Sequence, residues 1–223
     1  MPIKTIAIDG ACRRNGKPDC VSAGACFILI EDDGTEQGFV VSSHEVESTS
    51  QRGELYGLLL AMENVANYPM DTVIITDSEY LFNTVTKEWV ERWKATGWLT
   101  AEGNPVKNKD LWEQIWDVYS SVKEYVTMFH IKGHLLSVGI KKYHDLMYSD
   151  VTGYSLYKWV HDNKTIREDR LEHALVLSDT NNGFKPDLPL LQKFAAMNVT
   201  VDAAANLCVE NYEASQWRAM LEL

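Results

Sequence analysis

The feature that most constrains the fold is a run of three strand-like segments at the start of the chain. Residues 3–9 alternate as a strand does, and Val21 to Glu31 is rich in small and β-branched residues. The sequence Asp32-Asp33-Gly34 is typical of a tight turn, which joins the second segment to a third, Thr35 to Ser43. The chain is therefore predicted to open with three antiparallel strands.

Helices and two further strands follow. Ser48 to Asn67 carries apolar residues at helical spacing behind a Ser or Thr at the N-cap position. Asp71 to Thr76 is a short buried strand, parallel to the first because a helix crosses over between them. A helix over Ser78 to Val90, an amphipathic helix over Asp110 to Val122 and a fifth strand over Tyr125 to Ile131 follow. These elements predict an α/β fold whose five-stranded mixed sheet, three antiparallel plus two parallel strands, is flanked by helices.

The last third of the chain has weaker patterns. Helices are predicted over Ser155 to Asp162 and around Thr165 to Ala174, followed by a turn-rich stretch from Ser178 to Pro189. A final helix is predicted over Val201 to Glu222, with Asp202 near its start.

Composition limits the classes of function. The formal net charge of −11 argues against nonspecific binding of nucleic acid, unless basic loops or cations held by acidic groups intervene. No apolar run approaches the ~18 residues of a membrane span, and the N-terminus enters a strand pattern without a signal peptide. We therefore expect a cytoplasmic protein that does not enter a membrane. The four cysteines lack zinc-ligand spacing, so we expect reduced, mostly buried thiols.

Four carboxylates stand where elements begin or end. Asp9 lies where the first strand gives way to a turn, Glu54 in the first turn of a helix, Asp77 after a parallel strand and Asp202 in the last helix. Taken singly, Glu54 and Asp77 suit a helix N-terminus, and Asp9 suits a turn cap. Brought together at one sheet edge, the four would raise one another's pKa unless a metal neutralised them. Oxygen ligands of this kind favour Mg²⁺ or Mn²⁺ over Zn²⁺.

The stretch from Trp89 to Asn108 interleaves tryptophans with Arg92, Lys94 and Lys107. Indoles beside cations suit a surface that stacks on bases and contacts phosphates. The alternative is structural, because Trp89 and Trp93 are four residues apart and could share one buried helix face.

Six motifs run through the chain in a fixed order. They are I-D-G-A-C-R-R-N-G, T-S-Q-R-G-E-L, T-D-S-E-Y-L-F-N, R-W-K with G-W and P-V-K-N-K-D-L-W, I-K-G-H, and N-V-T-V-D-A-A-A-N. In this order and spacing they resemble type 1 ribonuclease H over residues 3–134, and the resemblance resumes at about residue 198. Each motif alone is weak, whereas the ordered set is specific.

The resemblance implies an endonuclease that hydrolyses the RNA strand of RNA·DNA hybrids by two-metal-ion catalysis, leaving 5′-phosphate and 3′-hydroxyl ends. It implies that Asp9, Glu54, Asp77 and Asp202 bind two Mg²⁺ ions, or Mn²⁺, with Asp9 shared between them. His134 would be the mobile histidine that assists proton transfer or product release.

The resemblance also implies three sets of substrate contacts. The residues expected to face the RNA strand are Gly10, Ala11, Cys12, Asn15, Ser50 and Gln51. Those expected in the DNA phosphate pocket are Thr49, Arg52 and Asn108, and those expected to grip the DNA strand are Trp89, Trp93, Lys94 and Trp98.

One departure from the family concerns residues 135–197, which stand where the family has a short flexible loop. We expect a catalytic domain over residues 1–134, an insertion or small subdomain over 135–197, and a completing helix over 198–223. Asp145 and Asp150 could compete with Asp202 for the fourth ligand position, and His144 with His134. We expect a monomer, and the insertion could bind a replication protein. A DNA-cutting relative of the resolvase or integrase kind and a noncatalytic hybrid-binding module remain alternatives.

Overall fold

The structure is a computed structural model that describes residues 3–136, 146–147, 150, 152–167, 170 and 186–221, with side chains up to residue 216. Its sheet has five strands: β1 (Ile3–Arg13), β2 (Val21–Asp32), β3 (Thr35–Val46), β4 (Thr72–Thr76) and β5 (Val126–His130). The spatial order is β3-β2-β1-β4-β5. The first three strands pair antiparallel, and β4 runs parallel to both β1 and β5. The predicted fold class is confirmed.

Helices cover both faces of this sheet. They are α1 (Ser50–Asn67), α2 (Glu79–Thr86), α3 (Trp89–Ala95), α4 (Lys109–Val122), α5 (Tyr154–Asn163) and α6 (Leu188–Leu221). Side chains alternate along β1, so Ile6 and Ile8 join the core under α1, α2 and α4. Ala7 and Ala11 join the opposite core, under α5 and α6. No helix in the described part of the chain combines the length and apolar character needed to cross a membrane.

The first strand is longer than predicted. β1 continues past Asp9 to Arg13 because its hydrogen bonds to β2 persist up to the pair Arg13 and Val21. Its parallel pairing with β4 ends earlier, at Ala7 and Ile75. Asp9 therefore lies within a strand, two positions beyond the last pairing with β4, and not at the strand-to-turn junction that we predicted.

The helix predicted over Ser78 to Val90 is two helices. α2 ends at Thr86, and Glu88, in the left-handed region with φ 54°, precedes α3. The β-branched run Thr84-Val85-Thr86 closes α2, and the Thr86 hydroxyl bonds back to the Phe82 carbonyl at 2.7 Å. β-branched side chains are poor helix formers, which accounts for the break.

The last helix begins before the predicted Val201. Asp187 caps it, since its Oδ1 accepts from the Leu190 amide at 2.9 Å, and Pro189 occupies the first turn. Both are recognised start signals, which the turn-rich composition of the stretch obscured. Leu191 and Phe194 then anchor the helix in the core. The helix predicted over Ser155 to Asp162 is present as α5, and the one around Thr165 to Ala174 lies mostly outside the described residues.

Candidate active site

Asp9 lies at the edge of the sheet where β4 has ended. Its position in β1 shares the parity of Ala7 and Ala11, which places its side chain on the α6 face. The Gly10 amide donates to Asp9 Oδ1 at 2.6 Å. The carboxylate is thus held by its own backbone and directed toward the helix that carries Asp202.

Glu54 reaches this edge because α1 packs on the sheet backbone to backbone. A Cβ on Gly10 would lie 2.3 Å from the Glu54 nitrogen, and one on Gly24 would lie 2.2 Å from the Gly57 nitrogen. Only glycine allows an approach this close. Thr49 caps α1, accepting from the Arg52 amide at 3.3 Å, as the sequence predicted.

Asp77 directly follows β4, and Ser78 begins the turn into α2. The Ser78 hydroxyl donates to Glu54 Oε2 at 2.6 Å, which links the second and third carboxylates. The buried amide of Asn198 on α6 bonds to the Asp77 carboxylate. His130 Nε2 lies 3.2 Å from the Asp77 carbonyl oxygen, and its ring stacks on Phe82.

Asp202 is brought to the site by the middle of α6. It lies one turn after Asn198, and Asn206, one turn further on, donates to Asp202 Oδ1 at 2.9 Å. Its competitor Asp150 instead caps α5, accepting from the Thr152 and Ser155 amides at 3.0 and 2.8 Å. The Thr152 hydroxyl also donates to Asp150 Oδ1 at 2.7 Å, and this bond, followed by those from Ser155, lowers the pKa of Asp150 to about 2. Asp145 and His144 lie outside the described residues.

The four carboxylates influence one another's ionisation. Burial raises the pKa of Asp9 well above its usual value, and the negative charges of Asp77, Asp202 and Glu54 raise it further. Burial is also the main cause of the raised pKa of Glu54, Asp77 and Asp202. Ionising the whole set is therefore unfavourable without a compensating positive charge.

His134 is a basic side chain next to these acids. It is exposed at the end of the segment that follows β5, and its positive charge lowers the pKa of both Asp77 and Asp202. A Cβ on the preceding Gly133 would lie 2.5 Å from Asp77 Oδ2, so this segment runs directly against the acid.

The four carboxylates lie near one another, but their oxygens do not meet at a common position. Within the described ranges, no three His, Cys, Asp or Glu side chains are gathered closely enough to hold a metal ion. Each of the four carboxylates is hydrogen-bonded to a neutral donor: the Gly10 amide, the Ser78 hydroxyl, the Asn198 amide or the Asn206 amide. A shared cation would require these side chains to turn toward it.

The residues expected to face RNA cluster beside the site. Asn15, in the β1–β2 loop, donates to Ser50 Oγ at 3.3 Å and so joins the loop to the start of α1. Gln51 is exposed next to them, whereas the Ala11 side chain is buried in the core. Ala11 could therefore contact RNA only through its backbone.

The cysteines of this hairpin are thiols in contact. Cys12 Sγ lies 2.8 Å from Cys20 Sγ, and burial together with this neighbour raises the pKa of Cys12 to about 12. A thiol with that pKa is protonated and unreactive at neutral pH. Cys20 and Cys26 are buried, whereas Cys12 and Cys208 are half-buried.

Arg52 is engaged within the protein. Its guanidinium donates to Glu45 on β3 at 2.6 and 2.8 Å and to Asp110 on α4 at 2.9 and 2.8 Å. These bonds use four of the five guanidinium N–H groups, so a phosphate that needs two of them at Arg52 would have to displace a carboxylate. Thr49 and Asn108, the other expected members of the phosphate pocket, lie at the starts of α1 and α4.

Substitution of Arg52 is therefore expected to act mainly on stability. Arg52→Ala should lower the free energy of unfolding by about 1–3 kcal/mol, because it leaves two carboxylates without their charged partner. Arg52→Lys should lower the free energy of unfolding by part of this amount. An ammonium keeps the positive charge, but it cannot bridge both carboxylates as the guanidinium does. Urea unfolding measures the free energy of unfolding of both variants. Arg13→Ala removes a more exposed pair with Glu210 and should cost at most about 1 kcal/mol; an equal loss in both alanine variants would contradict the bridging role.

The tryptophans form a half-buried surface on α3 and the loop after it. Trp89 and Trp93 have ring centroids 6.2 Å apart, and Trp93 packs edge-on against the buried Trp112. Lys94 lies over Trp116 and Lys109 over Trp98, at 5.2 and 5.8 Å from the ring centroids. Trp89 and Trp93 line a groove of about 560 Å³. The structural alternative is thus partly met, and contact with nucleic acid stays a prediction.

Three residues near the site carried little signal in the sequence. Ser78 looks like an ordinary helix cap, and His130 like a strand-end histidine. Asn198 is the first residue of the motif N-V-T-V-D-A-A-A-N and shows no further signal of its own. What makes them part of the site is contact across elements, which a single sequence does not display.

The chain is similar to known proteins in sequence and in fold. The RNase H family model matches residues 2–142, which include Asp9, Glu54, Asp77 and His134 but not Asp202. A ribonuclease H of Alcanivorax borkumensis is 39% identical over 110 residues, covering 49% of this chain and 67% of that protein. One of Moorella thermoacetica is 35% identical over 130 residues, covering 58% and 79%.

Among solved structures, the PFV RNase H domain shares the fold, with a TM-score of 0.53 at 20% identity, covering 71% of this chain and 96% of that domain. The family match spans most of the chain, and the five-stranded sheet gives the fold that this solved structure shares. The chain therefore belongs to the ribonuclease H family of enzymes.

Proposed function

We propose that this protein hydrolyses the RNA strand of RNA·DNA hybrids in a reaction that depends on divalent metal ions. The observation that carries the proposal is the set of four mutually repelling carboxylates at one edge of the sheet. Among the residues that the structure describes, none of the four pairs with a lysine or arginine. An anionic cluster of this kind is costly unless cations occupy it.

The donor set suits Mg²⁺ or Mn²⁺, which take carboxylate oxygens. We propose that Asp9, Glu54, Asp77 and Asp202 hold two such ions, with Asp9 shared. When bound, two ions activate a water and stabilise the leaving 3′ oxygen, which leaves 5′-phosphate and 3′-hydroxyl ends. Residues of the chain would orient these acids: Ser78 holds Glu54, and Asn198 holds Asp77.

The remaining residues supply proton transfer and recognition in this proposal. His134 is exposed beside Asp77 and Asp202, where it can hold or pass a proton near the scissile phosphate. Asn15, Ser50 and Gln51 lie together beside the site, where they could read the 2′-hydroxyls that distinguish RNA from DNA. The tryptophan groove would then receive the DNA strand.

A substrate panel tests the proposal. Labelled RNA·DNA hybrid, double-stranded DNA, double-stranded RNA and a four-way junction are incubated with Mg²⁺, with Mn²⁺ or with EDTA. We expect cleavage of the hybrid alone, on its RNA strand, and none with EDTA. Cleavage of DNA would support the resolvase-like alternative instead, and hybrid binding without cleavage would support the noncatalytic one.

The same assay tests the fourth ligand. Asp202→Asn should abolish most activity, whereas Asp145→Asn should retain it. Asp162→Asn, an exposed acid on α5, is the matched control for loss of one charge. Full activity in Asp202→Asn would remove Asp202 from the site and leave the substrate assignment intact.

A further inference from the structure

Part of the insertion lies along the segment that carries His134. Ile166 forms an antiparallel bridge with Leu136, and the Arg167 amide donates to the Leu135 carbonyl at 3.1 Å. The Arg170 guanidinium donates to the Gly133 carbonyl at 3.2 Å. We call residues 164–167 and 170 the clasp.

The clasp is itself anchored to the helices of the insertion side. The Lys164 amide bonds to the Val160 carbonyl at 3.0 Å, at the end of α5. The Gln192 side chain on α6 donates to the Lys164 carbonyl. Ile166 packs against the same core as α5 and α6. The clasp therefore connects the His134 segment to the packed body of the protein.

His134 needs such support because its backbone is strained. Its φ is 56°, in the left-handed region that residues other than glycine rarely adopt. The clasp binds the carbonyl on each side of it, that of Gly133 and that of Leu135. Leu135 is 2% exposed, so the segment is also held by burial just after the histidine.

The position of the segment that carries His134 affects the carboxylates of the site. The segment runs so close to Asp77 that a side chain on Gly133 would push the Asp77 carboxylate aside. The charge on His134 acts on both Asp77 and Asp202. A small displacement of the Gly133 and Leu135 peptide groups would therefore move His134 relative to two of the four carboxylates.

We infer that the clasp is a positioning device for His134, in which Arg170 is the side chain that holds the histidine in place. Its catalytic consequence rests on the proposed function. Where the family has a short flexible loop, this chain would then use the insertion to restrain the histidine. Arg170 acts through His134 and need not touch the substrate.

Kinetics on the RNA·DNA hybrid provide the first test, with Arg170→Ala, Arg170→Lys, His134→Ala and the double variant Arg170→Ala/His134→Ala. Loss of one hydrogen bond to a charged donor should lower kcat about 3- to 20-fold, with KM changed less than about twofold. Arg170→Lys should recover most of the rate because its ammonium can still reach a carbonyl. The double variant should be no slower than His134→Ala.

The matched control is Lys158→Ala, which removes an exposed cation of α5 that pairs with Asp162. It should leave kcat and KM unchanged. Additive effects in the double variant would show that Arg170 works independently of His134, for example on a substrate phosphate, and would overturn the inference. An unchanged kcat in Arg170→Ala would do the same.

A second measurement does not depend on activity. Hydrogen–deuterium exchange of the metal-free protein should show faster exchange in residues 133–136 of Arg170→Ala than in the wild type or Lys158→Ala. If the wild type failed to cut hybrid, the proposed function would be wrong and this comparison would still test the clasp. Identical exchange in residues 133–136 of all three proteins would refute the positioning role.

Discussion

Asp9→Asn is expected to reduce hybrid cleavage by at least about a thousandfold, because the ligand proposed to be shared by both ions contributes several kcal/mol to transition-state stabilisation. The substitution keeps the side-chain shape and the oxygen that accepts from the Gly10 amide. Loss of activity can therefore be assigned to the missing charge. The assay is initial-rate cleavage of labelled hybrid at saturating Mg²⁺.

The same substitution should stabilise the metal-free protein at neutral pH. Burial, followed by the charges of Asp77, Asp202 and Glu54, raises the pKa of Asp9 in the folded state. The folded protein therefore binds this proton more tightly than the unfolded chain, and stability falls as the pH rises from about 4 through the raised pKa. Asparagine carries no charge to ionise. We expect a gain of about 1–3 kcal/mol at pH 7 and little difference below pH 4.

Urea unfolding in EDTA at two pH values measures this effect. Asp162→Asn, which removes an exposed carboxylate, should leave the free energy of unfolding nearly unchanged at either pH. Addition of Mn²⁺ should stabilise the wild type more than Asp9→Asn. A variant less stable than the wild type at pH 7 would contradict the idea that the cluster is under electrostatic strain.

Gly24→Ala should destabilise the protein by at least about 3 kcal/mol, because overpacking against backbone cannot be relieved by a side-chain rotation. The new Cβ would lie 2.2 Å from the Gly57 nitrogen and 2.4 Å from the Gly53 oxygen. Helix α1 would have to move off the sheet, and Glu54 would move with it. Any protein that still folds should therefore also lose cleavage activity.

Urea unfolding and far-UV circular dichroism measure the loss. Gly103→Ala is the control, because Gly103 has φ 80° and nothing within 4 Å of the added Cβ. Gly103→Ala should lower the free energy of unfolding by about 1 kcal/mol, which is the conformational cost of a side chain at positive φ without any steric clash. If Gly24→Ala cost no more than Gly103→Ala, the close packing of α1 on the sheet would not be the feature that places Glu54.

Local pattern was enough to predict five strands and the first helix, although the first strand runs past Asp9 to Arg13 instead of ending there. Strand alternation and a helix cap are properties of neighbouring residues, so a Ser or Thr cap could be predicted before α1, and the structure shows that it is Thr49. The start of α6 was missed although Asp187 and Pro189 are start signals, because surrounding Gly, Asn and Pro favoured a turn. The place of Arg52 in the DNA phosphate pocket stays a prediction, and what the structure adds is that Arg52 bridges two acids from separate elements.

The sequence by itself determined the sheet, the family and the identity of the acids, because these follow from short-range periodicity and from motifs in order. Only the tertiary structure decided which groups meet. The middle of α6 carries Asp202 to the same edge as Asp9, Asn198 bonds to Asp77, and the insertion binds the carbonyls on both sides of His134. These contacts join residues far apart in the chain, and they depend on how helices pack across a sheet, which no local pattern records.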